Sequence, residues 1–324
     1  MMVIAEKTSS TPGTVRRWTM HARTVLMLIM LACLSVLLLS CGRRAPTSST
    51  VADGTMPLRI VTSFYPMYIA TLNIAAGISN VTVQNLTQPH TGCLHDYQLT
   101  PADMQTLTKA DVFVVNGAGM ESFLDKAIRQ VPGLTVIDAS AGLRLLRGAH
   151  GLNPHVWVSP SGAIQQVGVI AEGLAQRDPH NADAYRRNAA AYAATLATLR
   201  AQMHAELSNI VTRNIITFHE AFDYFADEFG LRVVGVIAQE PGSEPDPRAM
   251  ADIITLVRQQ PHVVLFAEPQ YATGAADAIA RETGAKLYVL DPVVSGPLTI
   301  NAYVDIMLRN LRELQRALTQ PAQQ

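Results

Sequence analysis

Asn181–Leu207 reads NADAYRRNAAAYAATLATLRAQMHAEL, 27 residues without a glycine or a proline. Alanine, arginine and leucine, all good helix formers, dominate it, and Tyr185, Tyr192, Leu196 and Leu199 recur near one helical face. The composition predicts one continuous helix. At about 1.5 Å per residue such a helix would reach about 40 Å, enough to run along two lobes and fix their separation. The alternative is an ordinary surface helix, but ordinary helices are much shorter.

Short β-branched runs alternate with longer helical segments on both sides of this stretch, the grammar of parallel sheets covered by helices. Strands are expected at Leu58 to Thr62, Val81 to Leu86, Asp111 to Asn116 and Leu134 to Asp138, with helices starting at Pro101 and running from Glu121 to Gln130. Beyond the long helix, strands are expected at Ile215 to Phe218, Arg232 to Ile237, His262 to Phe266 and Lys286 to Leu290, and a last helix from Asn301 to Leu318. The expected fold is therefore α/β: two similar lobes with parallel-type sheets flanked by helices, joined by one long rigid helix. The N-terminal α/β lobe would span 58–180, the interlobe helix 181–207 and the C-terminal α/β lobe 208–324. No residue-level repeat relates the two halves.

Of 324 residues, 48% are hydrophobic and 16% charged, and 25 basic residues stand against 26 acidic ones. No block of like charge is present, so no footprint for a phosphate backbone exists and nucleic acid is not an expected partner. Part of the apolar content is concentrated near the N-terminus. Arg16, Arg17 and Arg23 precede a run that is apolar almost throughout from Val25 to Leu39, a secretory signal pattern. As a helix this run would reach about 22 Å, short of the roughly 30 Å hydrocarbon core of a bilayer.

The run ends in Leu38-Leu39-Ser40-Cys41, which resembles a bacterial lipobox and implies cleavage before Cys41 and diacylglycerol on its sulfur. An uncleaved anchor helix is the alternative; in either case the rest is exported. Residues 1–41 form the expected signal segment and 42–57, rich in Arg, Pro, Ser and Thr, a flexible tether. Without 1–41 the chain carries 21 basic and 25 acidic residues over 283 positions, a net charge of -4. Cys93 is then the single cysteine left, so no internal disulfide can form.

Open α/β sheets bind ligands beyond the carboxyl ends of their strands, which directs attention to four polar segments. These are Gly92-Cys93-Leu94-His95-Asp96-Tyr97, Asn153-Pro154-His155-Val156-Trp157, Phe218-His219-Glu220 and Leu290-Asp291-Pro292. They contribute His95, His155, His219 and Asp291. Three imidazoles and a carboxylate can complete a tetrahedral shell for Zn²⁺, whereas Mn²⁺ favours more oxygen. Taken singly, each histidine could be a hydrogen-bonded turn residue, and Asp291 a helix cap.

These motifs, together with Thr217-Phe218-His219-Glu220-Ala221-Phe222-Asp223-Tyr224-Phe225, form an ordered set from about Leu58 to Leu318. As a set they resemble the zinc and manganese solute-binding proteins of ABC importers. The resemblance implies that two lobes hold one metal ion in their cleft and that the loaded form docks on a membrane permease driven by its ATPase. It puts His95, His155, His219 and Asp291 on the family's ligand positions, with His219 the zinc-type choice. It further implies a monomeric, extracytoplasmic protein, lipid-anchored to the cell membrane, with Zn²⁺ as cargo and Mn²⁺ second.

Departures from the family pattern bear on the site. Cys93 and Leu94 precede His95 where the family often has Asp and Pro, so the approach to His95 can differ; the Cys93 thiolate would be a strong zinc donor, but a side chain two positions from a ligand tends to point elsewhere, and the favoured reading of Cys93 is a small buried residue. No histidine-rich loop is present, and His90 and His150 read as solvated loop residues. Glu268 is expected as a hydrogen-bond acceptor behind a ligand. Glu220 would be the general base of a zinc hydrolase, the competing function, but no His-Glu-x-x-His arrangement is present and Glu220 is expected to cap the following helix. A binding protein for a metal chelate is the third reading; clustered histidines speak against it. The expected mechanism is capture and delivery without chemistry, with affinity falling as pH drops through the histidine range near about 6.5.

Overall fold

The computed structural model describes residues 56–88, 91–94, 97–148, 151–238, 247–260 and 262–319. The export segment with Cys41, nearly all of the tether, and His90, His95 and His150 lie outside the described residues. The first half runs β1 (Leu58–Thr62), α1 (Tyr65–Ile74), β2 (Val81–Asn85), α2 (Pro101–Lys109), β3 (Val112–Val115), α3 (Asp125–Ile128) and β4 (Thr135–Asp138). A two-residue antiparallel pair, β5 (Arg147–Gly148) and β6 (Gly151–Leu152), precedes α4 (Pro160–Arg177) and the long α5 (Ala182–Leu207). The second half runs β7 (Asn214–Thr217), α6 (Asp223–Phe229), β8 (Arg232–Val236), α7 (Pro247–Gln259), β9 (Val264–Ala267), α8 (Gly274–Thr283), β10 (Leu287–Val289) and α9 (Ala302–Leu318).

Both main sheets are parallel and share one topology. Their orders are β2-β1-β3-β4 and β8-β7-β9-β10. In each, the first strand sits inside and the chain crosses to opposite sides of it in turn, so the loops after the first and third strands part and leave a crevice.

Side-chain alternation along the strands divides the core. Ile60, Val112 and Val114 face inward, while Val61, Phe113 and Val115 face the opposite side of the first sheet. In the second sheet Ile215, Val264 and Phe266 face the same central cluster as the inward set of the first, and Ile216, Leu265 and Ala267 face away. The central cluster is continuous across both lobes: Tyr65 and Trp157 from the first half, Tyr185, Leu196 and Met203 from α5, and Phe225, Ile306 and Leu314 from the second. Helix α5 packs on α1 and α4 of one lobe and on α9 of the other, which is how it holds the two together.

One expected helix differs. In place of a helix from Glu121 to Gln130 there is a 3₁₀ turn at Ser122–Leu124 and the single turn of α3. Glu121 is buried and its carboxylate accepts from Ser63 Oγ at 2.7 Å and from the N–H groups of Asn116 and Gly117 at 2.7 and 3.0 Å. A residue bound into the core in this way cannot open an exposed helix. Among the described residues no helix is long and apolar enough to cross a membrane.

Candidate metal centre

Two strands flanking the crevice of the second lobe supply its polar groups. Strand β7 runs into Phe218-His219, and β9 runs into Glu268. His219 and Glu268 are each 1% exposed, and His219 Nδ1 lies 2.6 Å from Glu268 Oε1, which also accepts the His219 N–H at 3.1 Å. With Nδ1 committed to the carboxylate, the ring presents Nε2 to the cleft. Burial pulls the His219 pKa down, but the Glu268 carboxylate, backed by Cys93, more than offsets it and the net is a rise to about 10. Glu268 Oε2 is buried without a hydrogen-bond partner, an unsatisfied acceptor behind His219.

His155 comes from the first lobe. Its loop is held by Asn116 at the end of β3, whose Nδ2 donates to Pro154 O at 2.9 Å. Asn153 then orients the ring: its Nδ2 donates to Glu220 O and to Asp223 Oδ2, so its Oδ1 must be the atom 2.9 Å from His155 Nδ1. Nδ1 therefore carries the hydrogen, and in the neutral ring the lone pair is on Nε2. Ser159 caps the following helix by accepting from Gly162 N–H at 2.9 Å. Gly162 is required there, since a Cβ would meet Val156 O at 2.1 Å. The rings of His155 and His219 meet edge to face with centroids 5.1 Å apart.

Cys93 stands beside these imidazoles. Its Sγ lies 3.5 Å from His219 Nε2, and the candidate ligand atoms of Cys93, His155 and His219 all lie within 4.8 Å of one another. All three residues are buried. Burial pushes the Cys93 thiol up, and the neighbouring His219 pulls it back. The expectation that Cys93 points elsewhere is corrected by the backbone: Gly92 has φ +77°, a left-handed turn that redirects the next residue. Tyr271 of the opposite lobe packs on this turn, its hydroxyl accepting the Cys93 N–H at 3.3 Å; its ring stacks on Phe218 and meets His219 edge-on.

Asp291 is not part of that group. Its Oδ1 accepts from Gln270 Nε2 at 3.0 Å and from Val293 N–H at 2.8 Å, a local turn rather than a helix cap, since α9 starts only at Ala302. Burial raises its pKa, and these hydrogen bonds oppose the rise. Asn310 of α9 fixes the backbone on both sides of Asp291, and Trp157 Nε1 donates to Pro292 O at 2.8 Å, tying the Asp291 loop to that of His155. Its charge reaches both Tyr65 and Cys93. Glu220 does not cap a helix: Phe222 precedes α6 and Asp223 is the acid of its first turn. The Glu220 carboxylate lies beside Gly148. Glu268 takes the place expected of it, as the acceptor behind a ligand candidate; the orienting role of Asn153 on His155, two residues on, and the turn at Gly92, packed by Tyr271, are the features that residue type alone marks least.

Two parallel-sheet lobes around a buried pair of imidazoles, one backed by a carboxylate and one by an amide, define the class: an α/β binding protein with a candidate cation site where its lobes meet. The family described as zinc-uptake complex component A, periplasmic, matches residues 60–317, and the chain belongs to it. It is 30% identical over 312 residues to the high-affinity zinc uptake system protein ZnuA of Bacillus subtilis, covering 90% of this chain and 97% of that one. Among solved structures it is similar to FpvC of Pseudomonas aeruginosa in complex with Mn²⁺, with a TM-score of 0.74, 34% identity and coverage of 81% of this chain and 98% of that one. Zn(II)-bound AdcA of Streptococcus pneumoniae gives a TM-score of 0.71 at 28% identity, covering 82% of this chain and 59% of that longer one.

Proposed function

We propose that the protein is the extracytoplasmic metal-binding component of an ABC importer, capturing Zn²⁺, with Mn²⁺ second, between its lobes and delivering it to a membrane permease and its ATPase. The observation that carries this reading is the convergence of His155 and His219, one from each lobe, with each Nδ1 engaged by Asn153 or Glu268 and candidate ligand atoms of both rings and of Cys93 within 4.8 Å of one another. Metal-ligating histidines are oriented by such acceptors, which also make the ring a better donor. Membership of a zinc-uptake family agrees with it. His95 and Asp291 complete the proposed ligand set.

Export through the segment 1–41, acylation of Cys41, a tether over 42–57 and a monomeric state belong to the same proposal; the lipoprotein name of the related AdcA is consistent with it. The hydrolase alternative gains nothing from Glu220, whose carboxylate lies beside Gly148 and outside the ligand group. A carrier needs protein groups on every side of the ion and no substrate turnover.

The purified protein is expected to bind about one Zn²⁺. Replacing an outer-shell partner of a metal ligand typically lowers affinity about 10–100-fold, so His155→Ala, which removes the ligand, should lower it by more than about 100-fold. Isothermal titration against zinc, with circular dichroism to verify that the variant is folded, measures this. Unchanged affinity in folded His155→Ala would remove that residue from the site.

A further inference from the structure

We propose that Cys93 is itself a ligand, its thiolate binding the same ion as His155 and His219, and that this sulfur biases the site toward zinc over manganese. The inference rests on the metal-capture reading above and adds a donor to it.

The geometry carries the argument. With Zn–S about 2.3 Å, Zn–N about 2.05 Å and a tetrahedral angle, sulfur and nitrogen bound to one zinc ion stand about 3.6 Å apart. Cys93 Sγ and His219 Nε2 are 3.5 Å apart, and His155 closes the triangle within 4.8 Å. An ion can enter between the thiol and His219 with the two donor atoms almost where they are. On His219 the nitrogen facing the sulfur is Nε2, the one not engaged by Glu268. The backbone favours the contact: Gly92 turns with positive φ, which glycine adopts without strain, and a Cβ there would crowd the Tyr271 hydroxyl at 2.9 Å.

On loading, the S–H bond breaks as the S–Zn bond forms, the proton leaves to solvent and no electron is transferred. Cys93 and His155 belong to the first half of the chain and His219 to the second, so the ion would bridge the lobes through sulfur as well as nitrogen. A thiolate is a soft donor that suits zinc, whereas Mn²⁺ prefers oxygen. Replacing sulfur by oxygen should therefore weaken zinc much more than manganese.

X-ray absorption at the zinc edge of the loaded protein should show one sulfur scatterer at about 2.3 Å beside nitrogen and oxygen at about 2.0–2.2 Å. Cys93→Ser should lose that shell, bind zinc about tenfold or more weakly, and change its manganese affinity by less than about threefold. A stoichiometric zinc complex with only nitrogen and oxygen neighbours overturns the ligand role of Cys93 while leaving metal capture intact; failure of the wild-type protein to bind zinc overturns both. If Cys93→Ser does not fold, the wild-type spectrum still decides.

Discussion

Glu121 is the residue on which the first lobe's half of the site hangs. Its carboxylate gathers Ser63 and the N–H groups of Asn116 and Gly117, and Asn116 in turn carries the carbonyl of Pro154 next to His155. Burial, opposed by these donors, pushes the carboxyl from its ordinary 4.5 up to about 7. Between those values the folded protein holds a proton that the unfolded chain releases. The group's contribution to stability is therefore full below about pH 4.5 and lost as pH rises through about 7, on the order of 3 kcal/mol in all. The stability difference between wild type and Glu121→Gln, from urea titrations at several pH values, should shrink by that order between about pH 5 and about pH 8. A flat difference would show that Glu121 ionises with an ordinary pKa. His155 and His219 stand out in sequence because they follow strand or motif signals, Asn153 shares the motif of His155, and Glu268 is marked by its place after a strand; Glu121 has no such signature, because its role depends on Ser63, 58 positions away.

At the scale of elements, α5 is legible because it carries no breaker and its buried positions keep helical spacing: Tyr185, Ala189, Tyr192, Leu196, Leu199 and Met203. The strands are legible through their β-branched runs, with ends displaced by a residue or two as frayed boundaries usually are. Helix α1 has no such signal. It buries Tyr65, Pro66, Met67, Ile69, Ala70, Thr71 and Ile74, nearly all round, so no apolar stripe separates it from a buried strand. Its C-terminal end is tied down from another element, with Asn188 Nδ2 of α5 donating to Ile74 O at 3.0 Å and Ala76 O at 2.9 Å. The face of α5 that matters can be tested with adjacent residues. Leu196 is fully buried in the shared core, and Thr195 is exposed with its hydroxyl bonded back to Ala191 O. Leu196→Ala should cost about 2–5 kcal/mol and Thr195→Ala should be neutral or slightly stabilising, read from denaturant midpoints. Comparable losses at both positions would mean that α5 is not a packed spine.

At the scale of the molecule, the two lobes do not behave as beads on a rod. One hydrophobic cluster passes from the inner face of the first sheet through α5 to the inner face of the second, and buried hydrogen bonds cross the seam: Trp157 to Pro292 O, Tyr303 to Trp157 O, and Tyr224 to Asn153 O. Swinging the lobes apart would expose this cluster and strand those polar groups, each at a cost of about 1–3 kcal/mol. Release of the ion is therefore expected to move the loops that carry Cys93 and His155 rather than the lobes. The shared core also dictates how the protein melts. Calorimetry of the protein should show one transition, with equal calorimetric and van't Hoff enthalpies, where independent lobes would give two. Zinc that binds only the folded state adds about 2.7 kcal/mol at a free concentration 100 times its Kd, which for a protein of this size raises Tm by about 5–10 °C. With the proposed ligands drawn from both halves, the whole transition should move upward without splitting. A zinc-shifted component separating from an unshifted one would show that the site belongs to a single lobe.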